Sequence, residues 1–312
     1  MRAIRRQAPG VVEIVEVPEP TAGPGEVLVD VLYAGVNPFD VQVLRGQIGG
    51  SAPLTLGAEA TGLLDGQLVQ VSGGGIGAAR DGTYAERVVA PADAVRPLPD
   101  GVDPQFSATV GVAGKTAWRA VHQLAEVGPD DVVLVLGASG GVGTFAAQLA
   151  RATGAGVLAH TGDADKAARL DRLALETVVA EGGPAVATAV GDLGVTVVLD
   201  PLGGDYVASL LGVVAPAARF ITYGVLAGAT TELNLATLYG KGLRILGTSG
   251  GTTPPEQGAE ALTHALAAVR DGTVAVDVEV LPLEQAAEGF ARLQSRQVEG
   301  KLLLRPNAER EG

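Results

Sequence analysis

The stretch from Val132 to Ala152 limits the fold more than any other part of the chain. Val132-Val133-Leu134-Val135-Leu136 is an unbroken apolar run, as a parallel strand buried on both faces requires. A glycine-rich turn follows, Gly137-Ala138-Ser139-Gly140-Gly141-Val142-Gly143. Apolar residues then recur at helical spacing (Val142, Phe145, Ala146, Leu149) until Gly154 supplies a stop. Val157-Leu158-Ala159 is the next strand. Strand, glycine turn, helix and strand make a dinucleotide-binding βαβ unit. The glycines let backbone amides approach a pyrophosphate, and the helix N-terminus faces its charge. Ala138 stands where the G-x-G-x-x-G pattern begins, so Ser139, Gly140, Gly141, Val142 and Gly143 are the expected phosphate contacts. In a chain with 45 glycines the context carries this assignment, since the glycines alone would not. The plain alternative is a strand–helix turn that binds nothing.

The rest of the chain has two textures. Residues 1–100 read as β-rich. Val11–Val17 and Glu26–Leu32 alternate, Asp65-Gly66 is a type I′ hairpin signal between two short strands, and Tyr84–Ala90 is a further strand. Asn37-Pro38-Phe39-Asp40 begins a short helix or turn. From residue 101 strands and helices alternate. Asp163 caps a helix expected to reach Leu175, and Val178–Ala180, Val195–Leu199, Phe220–Tyr223 and Arg244–Leu246 are strands. After residue 274 the first texture returns, with a strand at Val276–Leu281, a helix at Leu283–Leu293 and a strand at Lys301–Leu304. The expected architecture is α/β: a doubly wound parallel sheet at residues 101–274, inserted into a β-rich domain made of residues 1–100 and 275–312.

Composition removes whole classes of function. There is no cysteine, which excludes disulfides, thiolate catalysis and cysteine-ligated metal. Only three histidines occur, far apart, so no metal site is expected. The net charge of −13 lacks the footprint of a nucleic-acid binder. No apolar run is long enough to span a bilayer, and Met1–Pro9 is not followed by the apolar core of a signal peptide, so a cytoplasmic protein is expected.

Gly35-Val36-Asn37-Pro38-Phe39-Asp40, Gly57-Ala58-Glu59, Gly82-Thr83-Tyr84-Ala85-Glu86, Ala113-Gly114-Lys115-Thr116-Ala117-Trp118, Asp200-Pro201-Leu202-Gly203-Gly204 and Gly300-Lys301-Leu302-Leu303-Leu304 accompany the glycine turn. In this order they resemble the medium-chain dehydrogenase/reductase superfamily, and most closely its zinc-free quinone oxidoreductase and enoyl reductase branch. The resemblance covers nearly the whole chain. It implies a Rossmann domain inserted into a GroES-like domain. Zinc members carry Cys where Asn37 stands and His where Ala58 stands, and neither an amide nor a methyl replaces those ligands. The hairpin after Glu59 is short for the family. Two readings of it stand, a more open substrate cleft or a trimmed surface loop.

Without a metal to polarise a carbonyl, a conjugated enone or quinone is a better hydride acceptor than an unactivated ketone. The resemblance places Asn37, Gln42 and Thr116 near the nicotinamide. Gln42 replaces a tyrosine found in some members, and Tyr33 or Arg45 are candidates for its carbonyl-binding role. Tyr84 reads as structural. At the end of the second strand stand Thr161 and Gly162, with no carboxylate to repel a 2′-phosphate. Lys166, one of only four lysines, occupies the branch's phosphate-binding position, and Arg169 follows one turn later, with Asp163 and Asp165 close by. The resemblance extends the cofactor contacts to Tyr223, Gly224, Thr248 and Ser249.

The expectation is a zinc-independent, NADPH-dependent reductase of a quinone or α,β-unsaturated carbonyl. One alternative is an enoyl reductase acting in trans on a carrier-bound acyl or polyketide chain. Another is a non-catalytic NADPH-binding protein. The expected partners are a small-molecule acceptor and a second copy of the chain, paired through the sheet edge near Arg244–Leu246, with neither nucleic acid nor membrane.

Overall fold

The computed structural model describes residues 1–173 and 175–307. Ala174, within the helix expected to reach Leu175, and residues 308–312, the end of the expected split domain, lie outside the described residues. The chain divides into two compact units, one of residues 1–113 with 276–307, the other Gly114–Ala275. Residues 101–113 therefore belong with the β-rich unit, not with the Rossmann unit as the change of texture at residue 101 implied. The reason is packing: the short helix Pro104–Ser107 lies against the strands Glu26–Val36 and Glu59–Leu64 of that unit.

The second unit is a six-stranded sheet, parallel throughout. Its spatial order is Glu176–Val179, Gly156–Thr161, Val132–Val135, Val197–Asp200, Arg219–Thr222, Arg244–Gly247. This is the doubly wound order, with its switch point between the central strands Val132–Val135 and Val197–Asp200. Val133, Leu134, Val135 and Leu136 are all fully buried, and each stabilises the unit by roughly 1.5–3 kcal/mol relative to an exposed side chain. The helix Gly141–Ala152 turns Phe145, Ala146 and Leu149 into the core. It ends at Thr153, where Gly154 takes φ +90°, a conformation that strains any residue with a Cβ.

The first unit is built on the long strand Glu26–Val36. It pairs antiparallel with Glu59–Leu64, Arg87–Pro91 and Lys301–Arg305. The last of these comes from the far end of the chain, beyond the Rossmann unit in sequence. Asp65 (φ +50°) and Gly66 (φ +80°) form the expected hairpin turn between Glu59–Leu64 and Gln67–Ser72. A smaller sheet contains Arg2–Ala8, Val11–Glu16 and Leu54–Thr55.

The strand placed at Tyr84–Ala90 is Arg87–Pro91, because Tyr84 is held by Leu56 and by its own buried hydroxyl. A helix at Gly183–Val190 is not placed by the sequence pattern; it carries Pro184 in its first turn, where proline costs nothing. No helix of the described residues is long and apolar enough to cross a membrane.

Candidate active site

The expected phosphate turn sits at the C-terminal end of the strand Val132–Val135. Gly137 adopts φ +61°, and Gly140 caps the helix Gly141–Ala152 without a side-chain hydrogen bond. The first amides of that helix are thus left for an anion. Gly143 has no room for a side chain: a Cβ would lie 2.3 Å from the Gly137 carbonyl oxygen. The turn is braced from beneath. Arg169, expected to face the cofactor, is only 2% exposed, and its guanidinium Nη1 donates to the Ser139 carbonyl and to Thr144 Oγ1, each at 3.0 Å. Thr144 Oγ1 donates in turn to the Ala138 carbonyl at 3.2 Å. Arg169 therefore shapes the turn through its backbone.

Thr161, at the end of the second strand, is buried, with its hydroxyl 3.5 Å from Ser139 Oγ. The Asp163 carboxylate accepts from the Asp165 amide, capping the helix Ala164–Arg172 that carries Lys166 half-buried. Gly162 is exposed.

Across the switch point, Asp200 ends its strand fully buried. One carboxylate oxygen accepts from the amides of Leu202 and Gly203, and the other accepts from Thr222 Oγ1. Burial raises its pKa, opposed by those hydrogen bonds. The Tyr223 hydroxyl is buried with no hydrogen-bond partner, and burial, then the neighbouring Asp200 charge, raise its pKa far above that of a free phenol. Gly224 packs on Pro201, where a Cβ would lie 2.6 Å from the carbonyl oxygen. Thr248 Oγ1 accepts from Arg119, which also donates to Thr253 Oγ1 at 2.6 Å, and Ser249 Oγ lies 3.1 Å from Thr252 Oγ1.

The residues expected at the nicotinamide fall on both units. Tyr33, Asn37 and Gln42 belong to the first, and Thr116 belongs to the second, half-buried on the short helix Lys115–Trp118. Tyr33 is half-buried, and its hydroxyl accepts from Gln105 Nε2 at 3.3 Å. Gln42 is half-buried on the helix Pro38–Leu44. Arg45 is exposed and donates to Gln294 Oε1 at 2.6 Å.

Asn37 is different. It is buried, and its amide is wholly engaged in the protein: Nδ2 donates to Glu59 Oε1 at 2.8 Å and to the Gly35 carbonyl at 3.3 Å, while Oδ1 accepts from Lys301 Nζ at 2.6 Å. Lys301 also donates to Glu59 Oε1 at 2.9 Å. Asp40 accepts from the Asn37 backbone amide at 2.8 Å and from the Tyr84 hydroxyl at 2.7 Å. Asn37, Asp40, Glu59, Tyr84 and Lys301 are thus one buried network at the junction that leads into the Gln42 helix. Of these, Lys301 is legible in the sequence only as part of a closing motif. Its signal is a lone lysine heading the apolar run Leu302-Leu303-Leu304.

A family described as "Zinc-binding dehydrogenase" matches residues 141–267, and one described as "Alcohol dehydrogenase GroES-like domain" matches residues 23–71. A phenolphthiocerol/phthiocerol polyketide synthase of Mycobacterium tuberculosis is 31% identical over 294 residues, which is 89% of this chain, while the chain spans only 13% of that synthase. YhfP of Bacillus subtilis, assigned as a quinone oxidoreductase, is 30% identical over 71% of this chain and 72% of its own length. The crystal structure of Escherichia coli quinone oxidoreductase complexed with NADPH matches 98% of this chain and 100% of its own, at a TM-score of 0.86 and 26% identity. The chain therefore belongs to the medium-chain dehydrogenase/reductase superfamily, in its quinone oxidoreductase-like branch, as a Rossmann domain inserted into a GroES-like domain.

Proposed function

We propose that this protein is a cytoplasmic, zinc-independent, NADPH-dependent reductase of quinones or α,β-unsaturated carbonyls. The observation that carries the reading is the uncapped helix N-terminus behind the tight Gly140–Gly143 turn. It fits a dinucleotide diphosphate, and the NADPH-bound quinone oxidoreductase among its structural relatives supports the same cofactor. When bound, NADPH supplies a hydride from nicotinamide C4. Backbone amides at Gly141, Val142 and Gly143 would hold the diphosphate. Thr161 and Gly162 offer a 2′-phosphate no carboxylate at the strand end, and Lys166 would pair with it. Asn37 and Ala58 cannot ligate zinc as thiolate and imidazole do, so the acceptor must take hydride without a strong Lewis acid. Tyr33, Gln42 and Thr116 retain side-chain polar atoms for a carbonyl oxygen, whereas Asn37 is spent on Lys301 and Glu59.

A second reading, an enoyl reductase on a carrier-bound chain, is favoured by the 31% identity to one segment of a polyketide synthase. One assay separates them. NADPH and NADH oxidation is followed with quinones, enals and enones, and with 2-enoyl pantetheine thioesters. Turnover of the first group supports the main reading, and turnover confined to thioesters supports the second. Tight NADPH binding with turnover of neither would point to the non-catalytic alternative.

A further inference from the structure

Lys301 is 2% exposed, and a buried ammonium needs acceptors for its three hydrogens. It finds them in Asn37 Oδ1 at 2.6 Å, Glu59 Oε1 at 2.9 Å and the Val36 carbonyl at 3.4 Å. These come from the end of Glu26–Val36, the residue after it and the start of Glu59–Leu64, so three segments close around one cation. The Glu59 carboxylate is fixed at its other end too, since Oε2 accepts from the Val112 amide at 2.7 Å. Gly35 makes the space: a Cβ there would lie 2.4 Å from Glu59 Oε1 and 2.4 Å from the Ala108 carbonyl oxygen.

The zinc named in one family description does not fit this chain. The chain has no cysteine, Asn37 and Ala58 offer neither thiolate nor imidazole, and the donors that do converge are a carboxylate, an amide oxygen and a backbone carbonyl. Such an all-oxygen set suits an ammonium or a hard cation better than Zn²⁺, which is held mainly by sulfur and nitrogen. We propose that the Lys301 ammonium is a tethered resident cation at this place. It supplies permanently the positive charge that balances Glu59 and orients Asn37, and so fixes the junction from which the Gln42 helix starts. The proposal stands apart from the reductase reading, because its readouts are stability and metal content.

The test compares Lys301→Met, Glu59→Gln and the double variant by thermal unfolding, and measures zinc in the wild type after dialysis against equimolar ZnCl₂. Lys301→Met leaves the Glu59 carboxylate buried without its cation, and its Tm should fall by on the order of 10 °C. The double variant removes both charges and should recover a large part of that loss. The wild type should retain no stoichiometric zinc. Lys301→Met as stable as the wild type, or a double variant no more stable than Lys301→Met, would show that charge is not what Lys301 provides. Stoichiometric zinc lost on Asn37→Ala would overturn the proposal as well. If Lys301→Met fails to fold, a folded double variant still supports the proposal, and an unfolded one counts against it.

Discussion

The Tyr84 hydroxyl lies 2.7 Å from Asp40 Oδ2 and 3.0 Å from the Gly35 carbonyl oxygen. One phenolic proton cannot serve both acceptors fully. If Asp40 holds a proton, it donates to the Tyr84 oxygen, and Tyr84 is free to donate to Gly35. The electrostatics make this state populated below about pH 7, whereas ionised Asp40 accepts from Tyr84 above it. Burial pushes the Asp40 pKa up to about 7, against hydrogen bonds from Tyr84 and the Asn37 amide that pull it down; the Glu59 charge pushes it further up and Lys301 opposes. With Asp40 neutral, the Lys301 and Glu59 charges balance.

The consequence is a stability that depends on pH with a defined sign. The fold holds a proton on Asp40 that the unfolded chain releases near pH 4, so this contribution is complete below pH 4 and is lost as pH rises to about 7. Between those limits the slope is at most about −1.4 kcal/mol per pH unit. Asp40→Asn, neutral at all pH, should flatten that part of the profile. Urea unfolding at pH 5, 6, 7 and 8 measures it. A profile for Asp40→Asn parallel to that of the wild type would show that Asp40 is already ionised in the fold.

Much of this was legible in the sequence because it is local. The run Val132–Leu136, the glycine turn and the helix period each leave their mark within a few residues, and so does the Asp65-Gly66 hairpin. What was not legible is long-range. Lys301 meets Asn37 across a sequence separation of 264 residues and Glu59 across one of 242. Arg169 lies on a mostly polar helix beside the expected phosphate lysine, and nothing in its neighbours shows that it turns inward to Ser139 and Thr144. The boundary expected at residue 101 failed for the same reason: helical texture begins there, but the contacts of Pro104–Ser107 lie with earlier strands. Asn37 kept its place in the motif, but its side chain serves the interior.

Gly143→Ala probes the phosphate turn directly. Its Cβ would lie 2.3 Å from the Gly137 carbonyl oxygen and 2.7 Å from Ala138 Cα, both backbone atoms that cannot swing aside. The turn must open, and overpacking of this kind costs about 1–3 kcal/mol. Cofactor fluorescence titration should show NADPH and NADH weakened together, by roughly five- to a hundredfold if that cost falls on binding. Wild-type affinity for both would remove the turn from the site.

The sheet edge makes a prediction about assembly. Arg244–Gly247 is the last strand of the parallel sheet, and all four residues are exposed, with Ile245 and Leu246 among them. Beside it in sequence, Leu235 is 68% and Tyr239 89% exposed. An unpaired edge with apolar neighbours invites a second copy. Sedimentation at about 10 μM should give a dimer, and Ile245→Lys with Tyr239→Lys should give a monomer that still binds NADPH. A wild-type monomer at that concentration would reject the pairing.

Lys166 and Arg169 separate recognition of the 2′-phosphate from support of the turn. Lys166 is half-buried near the start of the helix that follows Thr161 and Gly162, whereas Arg169 is bonded beneath the turn to Ser139 and Thr144. If Lys166 pairs with the 2′-phosphate, Lys166→Ala removes a charge-assisted contact made to NADPH and not to NADH. Such a contact contributes on the order of 1.5–3 kcal/mol. NADPH affinity should then fall roughly ten- to a hundredfold, with NADH affinity nearly unchanged. Added salt should weaken NADPH binding to the wild type more than to the variant. If the turn receives the diphosphate common to both cofactors, Arg169→Met, which loosens it, should weaken both by similar factors. Titration of the two cofactors against the three proteins decides the matter. An unchanged NADPH/NADH ratio in Lys166→Ala would take Lys166 out of the site, and a changed ratio in Arg169→Met would assign the 2′-phosphate to Arg169 instead.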